Sequence, residues 1–375
     1  MRFPEFSGEW EKYRLKDIAN ISKERIGINM LSNNNYISTE NMKPDFGGVD
    51  VAINLPVSGN VIKFQKGDTL LSNIRPYLKK IWQAKFDGGC SADIFVFRSN
   101  ILCNSDFLYY TLANEKFILY AMSGAKGVKM PRGDKEQILK YDLHLPTTIE
   151  QNKIASMLSL LDDRIATQIK IIEKLESLIR GISNNLLYSE SGTPVRLGDI
   201  LSERSERTKV NNQHEVLSST VKGIFSQREY FSKDVASENN VGYKVIRLHD
   251  VVLSPQNLWM GNINYNDKFD IGIVSPSYKI FSIADGYDKR FVAAMLKTHR
   301  ALYNYMLVSE QGASIVRRNL NMEAFEQLVF KMPPLDKQRE IGNTISALQS
   351  RLELAVRTKI AYEKQKQWLL TQMFI

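Results

Sequence analysis

Two long amphipathic stripes constrain this chain more than any other feature. "LPTTIEQNKIASMLSLLDDRIATQIKIIEKLESLIRGISNNLLY", Leu145–Tyr188, sets Ile154, Leu158, Leu161, Ile165, Gln168, Ile172, Leu175, Ile179, Ile182 and Leu186 at alternating spacings of four and three. That is a heptad seam, and it predicts a helix of about 60 Å, too long for an ordinary globular core. Such a helix must bury its stripe against another. The chain supplies one in "MPPLDKQREIGNTISALQSRLELAVRTKIAYEKQKQWLLTQMFI", where Ile341, Ile345, Leu348, Leu352, Ala355, Tyr362, Leu369 and Met373 repeat the pattern. Lys359 and Lys366 interrupt this second seam, either as register-setting polar positions or as the place where the helices splay. Asp162-Asp163 on the first rod reads as a solvated helix face.

The duplication reaches beyond the rods. "RLKDI" at Arg14–Ile18 returns as "RLGDI" at Arg196–Ile200, and "GDTLLS" ending at Ser72 returns as "HDVVLS" ending at Ser254, both 182 residues on. Ser91, Phe97, Phe107 and Leu112 meet Ser275, Phe281, Phe291 and Leu296 at 184, and Pro146, Gln151 and Ile154 meet Pro333, Gln338 and Ile341 at 187. A drifting offset means loop insertions within one repeated fold. The predicted organisation is a globule over 1–145, a rod over 146–191, a second globule over 192–331 and a second rod over 332–375. Short β-type runs mix with apolar helical stretches in each globule, so both are expected to be α+β. Rods packed as an antiparallel coiled coil would make the chain a pseudo-two-fold imitation of a homodimer.

Composition adds exclusions. Cys90 and Cys103 are too few for a disulfide framework, which suggests buried thiols in a reducing compartment. "MRFPEFSGEW" has no apolar signal core and no run of 18 apolar residues occurs, so a cytoplasmic protein without membrane contact is expected. There is no phosphate-binding G-x-x-x-x-G-K-[ST] loop, and "MPPL" at Met332–Leu335 lacks the polar and aromatic residues of a base-methylation motif. His144, His214, His249 and His299 have no metal-ligand spacing, so no metal and no catalytic residue is assigned.

The net charge of +9 is spread along the chain and suits an anionic partner. Basic and polar stretches interleaved with aromatics give candidate nucleic-acid contacts. "SNIRPYLKK" offers Arg75, Tyr77, Lys79 and Lys80, with Trp82 just beyond, and "GAKGVKMPRG" adds Lys126, Lys129 and Arg132. The second globule has Gln256, Asn257 and Trp259 in "SPQNLWMGN", and Ser314, Arg317, Arg318 and Asn319 in "GASIVRRN". Two polar loops complete the set, with Asn33, Asn34, Asn35 and Tyr36 in one and Ser219, Lys222, Gln227 and Arg228 in the other. Arg and Lys suit phosphates and guanine edges, Asn and Gln adenine edges. Taken singly, each stretch reads as well as solvated surface.

Two diverged globules, each followed by Pro, an acid, Gln and a long heptad helix, resemble the specificity subunit of type I restriction-modification systems. The resemblance rests on Leu145-Pro146 with Glu150-Gln151, Ile154, Leu161-Asp162 and Ile165, on Met332-Pro333-Pro334-Leu335 with Gln338 and Ile341, and on "RLKDI", "RLGDI" and "GDTLLSNIRPYLKK". It implies two target recognition domains reading the halves of a bipartite site in double-stranded DNA. The rods would act as spacer and as docking surface for two modification subunits, and two restriction subunits would complete the assembly. S-adenosylmethionine, ATP and Mg would bind those partners, leaving this chain without cofactor or catalysis. A coiled-coil adaptor, or a DNA-binding regulator without such partners, is the competing reading.

Overall fold

The computed structural model of the chain describes residues 2–127, 129–186, 192–230, 239–311 and 318–374. The chain divides into two compact units, Met1–Ile169 with Arg357–Ile375, and Lys170–Val356. Each holds one globule and parts of both rods, the borders falling inside the rods.

In the first unit, Ala19–Ile21, Ile94–Ser99, Thr69–Ser72 and Ile81–Gln83 form, in that order, a four-stranded antiparallel sheet. In the second, Leu201–Arg204, Lys279–Ile283, Val251–Leu253 and Ile263–Tyr265 take the same order. Two short helices follow each sheet, Ser105–Leu112 and Glu115–Ser123 in the first unit, Lys289–Leu296 and His299–Leu307 in the second. Their starts are capped from the sequence. Asn104, Asn114, Asp288 and Thr298 each accept a backbone N–H of the first turn, which exposed helix ends require. The α+β expectation and the internal repeat are therefore both present in the fold.

The rods are helices Thr148–Leu186 and Leu335–Met373, each of 39 residues and 187 positions apart throughout. Within the first unit they run antiparallel: Asp162 meets Lys366, and the Arg164 guanidinium lies over the Tyr362 ring. Ile154, Leu158 and Leu161 share one buried core with Phe107, Phe117, Leu369, Leu370 and Met373. In the second unit Ile341 and Ile345 are buried with Leu197 and Phe291, and Ile182 packs on them. The remaining seam positions Ile165, Ile172, Leu175, Ile179, Leu348 and Leu352 are only half-buried.

Asp162 corrects the sequence reading. It is no solvated carboxylate: Oδ1 accepts from Lys366 Nζ at 2.5 Å and Oδ2 from the Tyr110 hydroxyl at 2.8 Å. Lys366, an apparent flaw in the seam, is paired across it, whereas Lys359 pairs within its own helix with Glu363.

Candidate nucleic-acid interface

Each globule is fastened to its rod by the repeated glutamine. The Gln151 side chain accepts from the backbone N–H of the cap residue Asn104 and donates to the carbonyls of Leu102 and Pro146. Gln338 accepts from the backbone N–H of the cap residue Asp288 and donates to the Pro333 carbonyl. Both glutamines are buried. A buried amide satisfied on both ends is costly to replace, which gives the Pro-acid-Gln signature a structural reason. Its acid, Glu150, is fully buried and accepts from the Arg2 guanidinium and the Trp10 indole.

A second repeated device sets the turn ahead of the third core strand. Gly67 and His249 both have positive φ, 93° and 74°. The next residues, Asp68 and Asp250, are buried; each accepts a backbone N–H from three residues upstream and pairs with an arginine, Arg98 or Arg204. The arginines come from different strands, so the pair persists although its sequence positions do not correspond.

These frames bring separate predicted stretches together. In the first unit the loop after Ser72 lies beside the return loop before Lys135–Leu139: Arg75 N–H donates to the Pro131 carbonyl and Gly133 N–H to that of Asn73. Lys126 and Arg132 exchange backbone hydrogen bonds, so Arg75, Lys126, Lys129 and Arg132 share one region. Arg75 and Lys79, at φ 51° and 53°, bracket the turn Pro76–Leu78, a left-handed pair that L-residues adopt at a cost of about 1–3 kcal/mol each. Arg75 Nε is buried and has no hydrogen-bond partner. The second unit repeats the juxtaposition, since Arg318 N–H donates to the Gln256 carbonyl and the Arg318 guanidinium lies 4.9 Å from the centre of the Trp259 ring. Arg318 Nε is likewise buried without a partner. Gln256 and Asn319 are exposed, and Asn257 and Trp259 half-buried.

Several candidates are buried or engaged by neighbours within the chain. Tyr36 is buried as the strand partner of Gly89. Asn35 accepts from Ser32 N–H and so shapes its own turn, while Asn33 donates to the Ile53 carbonyl; Asn34 is exposed. Lys79 is held by Glu115, and Lys80 donates to the Thr39 carbonyl. Lys126 and Arg132 pair with Asp134 and Asp93, and Lys129 is exposed beside them. Trp82 belongs to the core. Ser314 and Arg317 lie outside the described residues.

Ser219 is buried too. Its hydroxyl donates to Asn262 Oδ1 and accepts from Asn264 Nδ2, and Tyr278 donates to its carbonyl. The network clamps the hairpin Leu217–Thr220/Gly223–Ser226 to the strand Ile263–Tyr265, presenting Lys222 at the exposed hairpin tip and Gln227 and Arg228 beyond it. Asn262, Asn264 and Asn266 alternate in "NINYN", a period-two polar face that the sequence reading missed and that could have marked the strand.

The two cysteines are free and buried, and burial pushes both thiols up to about 12. Among the described residues no group of His, Cys, Asp and Glu could hold a metal, and no helix is long and apolar enough to cross a membrane.

Comparison with known proteins finds relatives of this duplicated α+β unit with two long helices. Residues 7–177 match the family model of the type I restriction modification DNA specificity domain. Over 159 residues the chain is 24% identical to the type I restriction enzyme EcoDI specificity subunit of Escherichia coli, covering 40% of this chain and 34% of that protein. The match thus spans about a third of that relative's length. The crystal structure of the type I restriction-modification S subunit from M. genitalium superposes with a TM-score of 0.67 at 13% identity, covering 100% of this chain and 99% of that one. A chain from a structure of the type I R-M system superposes with a TM-score of 0.52 at 15% identity over 98% of both chains. Residues 7–177 thus match the type I restriction modification DNA specificity domain, and the chain as a whole shares the fold of the M. genitalium S subunit.

Proposed function

We propose that the chain is the DNA reader of its complex, each globule recognising one half of a bipartite, asymmetric site. The observation that carries this reading is the repeated loop pair, Arg75 with Lys129 in the first unit and Trp259 with Arg318 in the second. Cations and an aromatic held on neighbouring segments can meet phosphates and base edges, and differing side chains on one frame suit two unlike half-sites. In this reading the rods fix the spacing of the half-sites and dock two modification subunits, with two restriction subunits completing the assembly. Leu160, Leu178, Leu354 and Trp368, exposed and off the seam, would serve that docking. Methyl transfer, translocation and cleavage then belong to the partners.

The test is duplex binding against salt. Replacing Arg75 and Lys129 by Ala should lower affinity for all sequences and reduce the slope of log affinity against log salt by up to about two. The Lys79→Ala and Lys80→Ala variants should leave the slope almost unchanged, because both ammonium groups already have partners. An unaltered slope for Arg75 and Lys129 would move the contact face elsewhere.

A further inference from the structure

The repeat builds a cleft at the same place in each unit, where the corner between the two short helices faces the rods. In the first unit it has a volume of about 470 Å³ and is lined by Asp45, Glu115, Asp162 and Glu363, with Lys366 opposing them. In the second, about 420 Å³ is lined by Arg180, Lys222, Lys268, Lys297 and His299, with Asp267 and Glu353 opposing. The positions correspond: Lys297 and His299 stand where the first unit has Ala113 and Glu115, and Gln349 and Ile179 stand where it has Asp162 and Lys366. One architecture thus carries opposite charge in its two copies.

We propose that the cleft of the second unit is a binding site for a small phosphate-bearing anion, and that the cleft of the first unit is not. Lys297 is the centre of the site. Its ammonium donates to Asn264 Oδ1 at 2.5 Å and approaches the Val221 carbonyl at 3.4 Å, two neutral acceptors that leave its charge uncompensated. Desolvation by the surrounding protein pushes its pKa down to about 8, which a bound anion would reverse. Arg180 reaches the same space from the first rod, its nearest carboxylate, Glu176, standing 3.9 Å away. Lys268 is partnered by Glu353 and serves as wall. The volume admits one or two phosphoryl groups with a small substituent, and Asn264, tied to Ser219, fixes the donors in place. This inference stands on the cleft alone and does not require that the globules read DNA.

The probe is inorganic pyrophosphate titrated calorimetrically into the full chain. One equivalent should bind, although the chain has two clefts. Lys297→Ala or Arg180→Ala should weaken binding by about tenfold each, the worth of a charge-assisted hydrogen bond. Lys297→Arg should keep most of the affinity, and Glu115→Gln in the other cleft should change nothing. Thermal melts of each variant ensure that only folded chains are compared. A duplex oligonucleotide added to the pyrophosphate complex separates two sources of the phosphate: displacement assigns the site to a DNA backbone phosphate, and no displacement to a free small anion, either of which supports the site. Absence of saturable binding, two equivalents per chain, or affinities that both alanine variants leave within about twofold would overturn it.

Discussion

Lys366→Met tests whether the polar interruption of the seam stabilises the rod pair. In the wild type the Lys366 side chain is 16% exposed and that of Asp162 34%. A fully exposed pair contributes about 0–1 kcal/mol, and breaking a buried one costs about 3–5 kcal/mol. With Asp162 a third exposed and still accepting from Tyr110, the loss should lie between these limits, about 1–2 kcal/mol. For a unit of this size that is a fall in Tm of about 2–8 °C. The assay is a double-mutant cycle with Asp162→Asn, followed by urea unfolding and calorimetry, in low salt and at high ionic strength. The coupling should survive salt, because Lys366 is largely enclosed. The exposed pair Lys337–Glu340, with both side chains about two-thirds exposed, is the control and should show no coupling at high salt. A coupling energy below about 0.3 kcal/mol would mean that Asp162 and Lys366 merely fill space, and the register argument would fail.

Other substitutions probe the loops and the seam. A Cβ at Gly88 would sit 2.2 Å from the Asn35 carbonyl oxygen, so Gly88→Ala should cost about 2–4 kcal/mol and displace the Asn33–Asn35 loop, read as a lowered unfolding midpoint. Leu161→Asp puts a carboxylate at a 6% exposed core position and should destabilise by about 3–5 kcal/mol, whereas Leu160→Asp, at a 62% exposed neighbour, should leave stability within about 0.5 kcal/mol and instead weaken co-purification with modification subunits. With both thiols raised to about 12, Cys90 and Cys103 should resist iodoacetamide at pH 8 until urea unfolds the chain. Because a folded-state thiol pKa above the unfolded one binds its proton more tightly, that contribution is complete below about pH 9 and fades as pH climbs toward 12.

The rods and the repeat were legible because each depends on local periodicity or on recurrence along the chain; the caps, though equally local, were not read. Asn104, Asn114 and Thr298 bond backbone N–H groups two or three residues on, a short-range signal that periodicity does not carry. The surroundings of the candidate site residues were legible only in part. Nothing near Lys79 or Lys80 shows that Glu115 and the Thr39 carbonyl lie within reach, 36 and 41 residues away. Asp162 looked solvated for the same reason, since its partners Tyr110 and Lys366 are 52 and 204 residues distant. Long-range polar pairing leaves no periodic trace, so sequence inspection overcounts free cations and free carboxylates on surfaces that are already cross-linked.

That same pair bears on what half of this chain can do. Rods of equal length and constant offset mean that a fragment ending near residue 191 keeps the first globule and rod, and a second copy can supply residues 170–186 where the full chain supplies 357–373. The apolar places match: Ile182 stands for Leu369 and Leu175 for Tyr362. Lys366 does not, because its counterpart is Ile179. The fragment 1–191 should therefore form a homodimer, driven by an apolar stripe of about four heptads that is poorly tolerated in water. In that dimer both copies of Asp162 keep Tyr110 but lack the cation. Ile179→Lys restores it twice, and should tighten the dimer by about 2–4 kcal/mol, twice the coupling of one pair. Sedimentation equilibrium measures the change, and methylated-site sequencing with modification subunits should report an inverted repeat of one half-site. A monomeric fragment would sink the equivalence of the rods. A dimer that Ile179→Lys leaves unchanged or weakens would sink the claim that Asp162 and Lys366 make each rod prefer the other over its own copy.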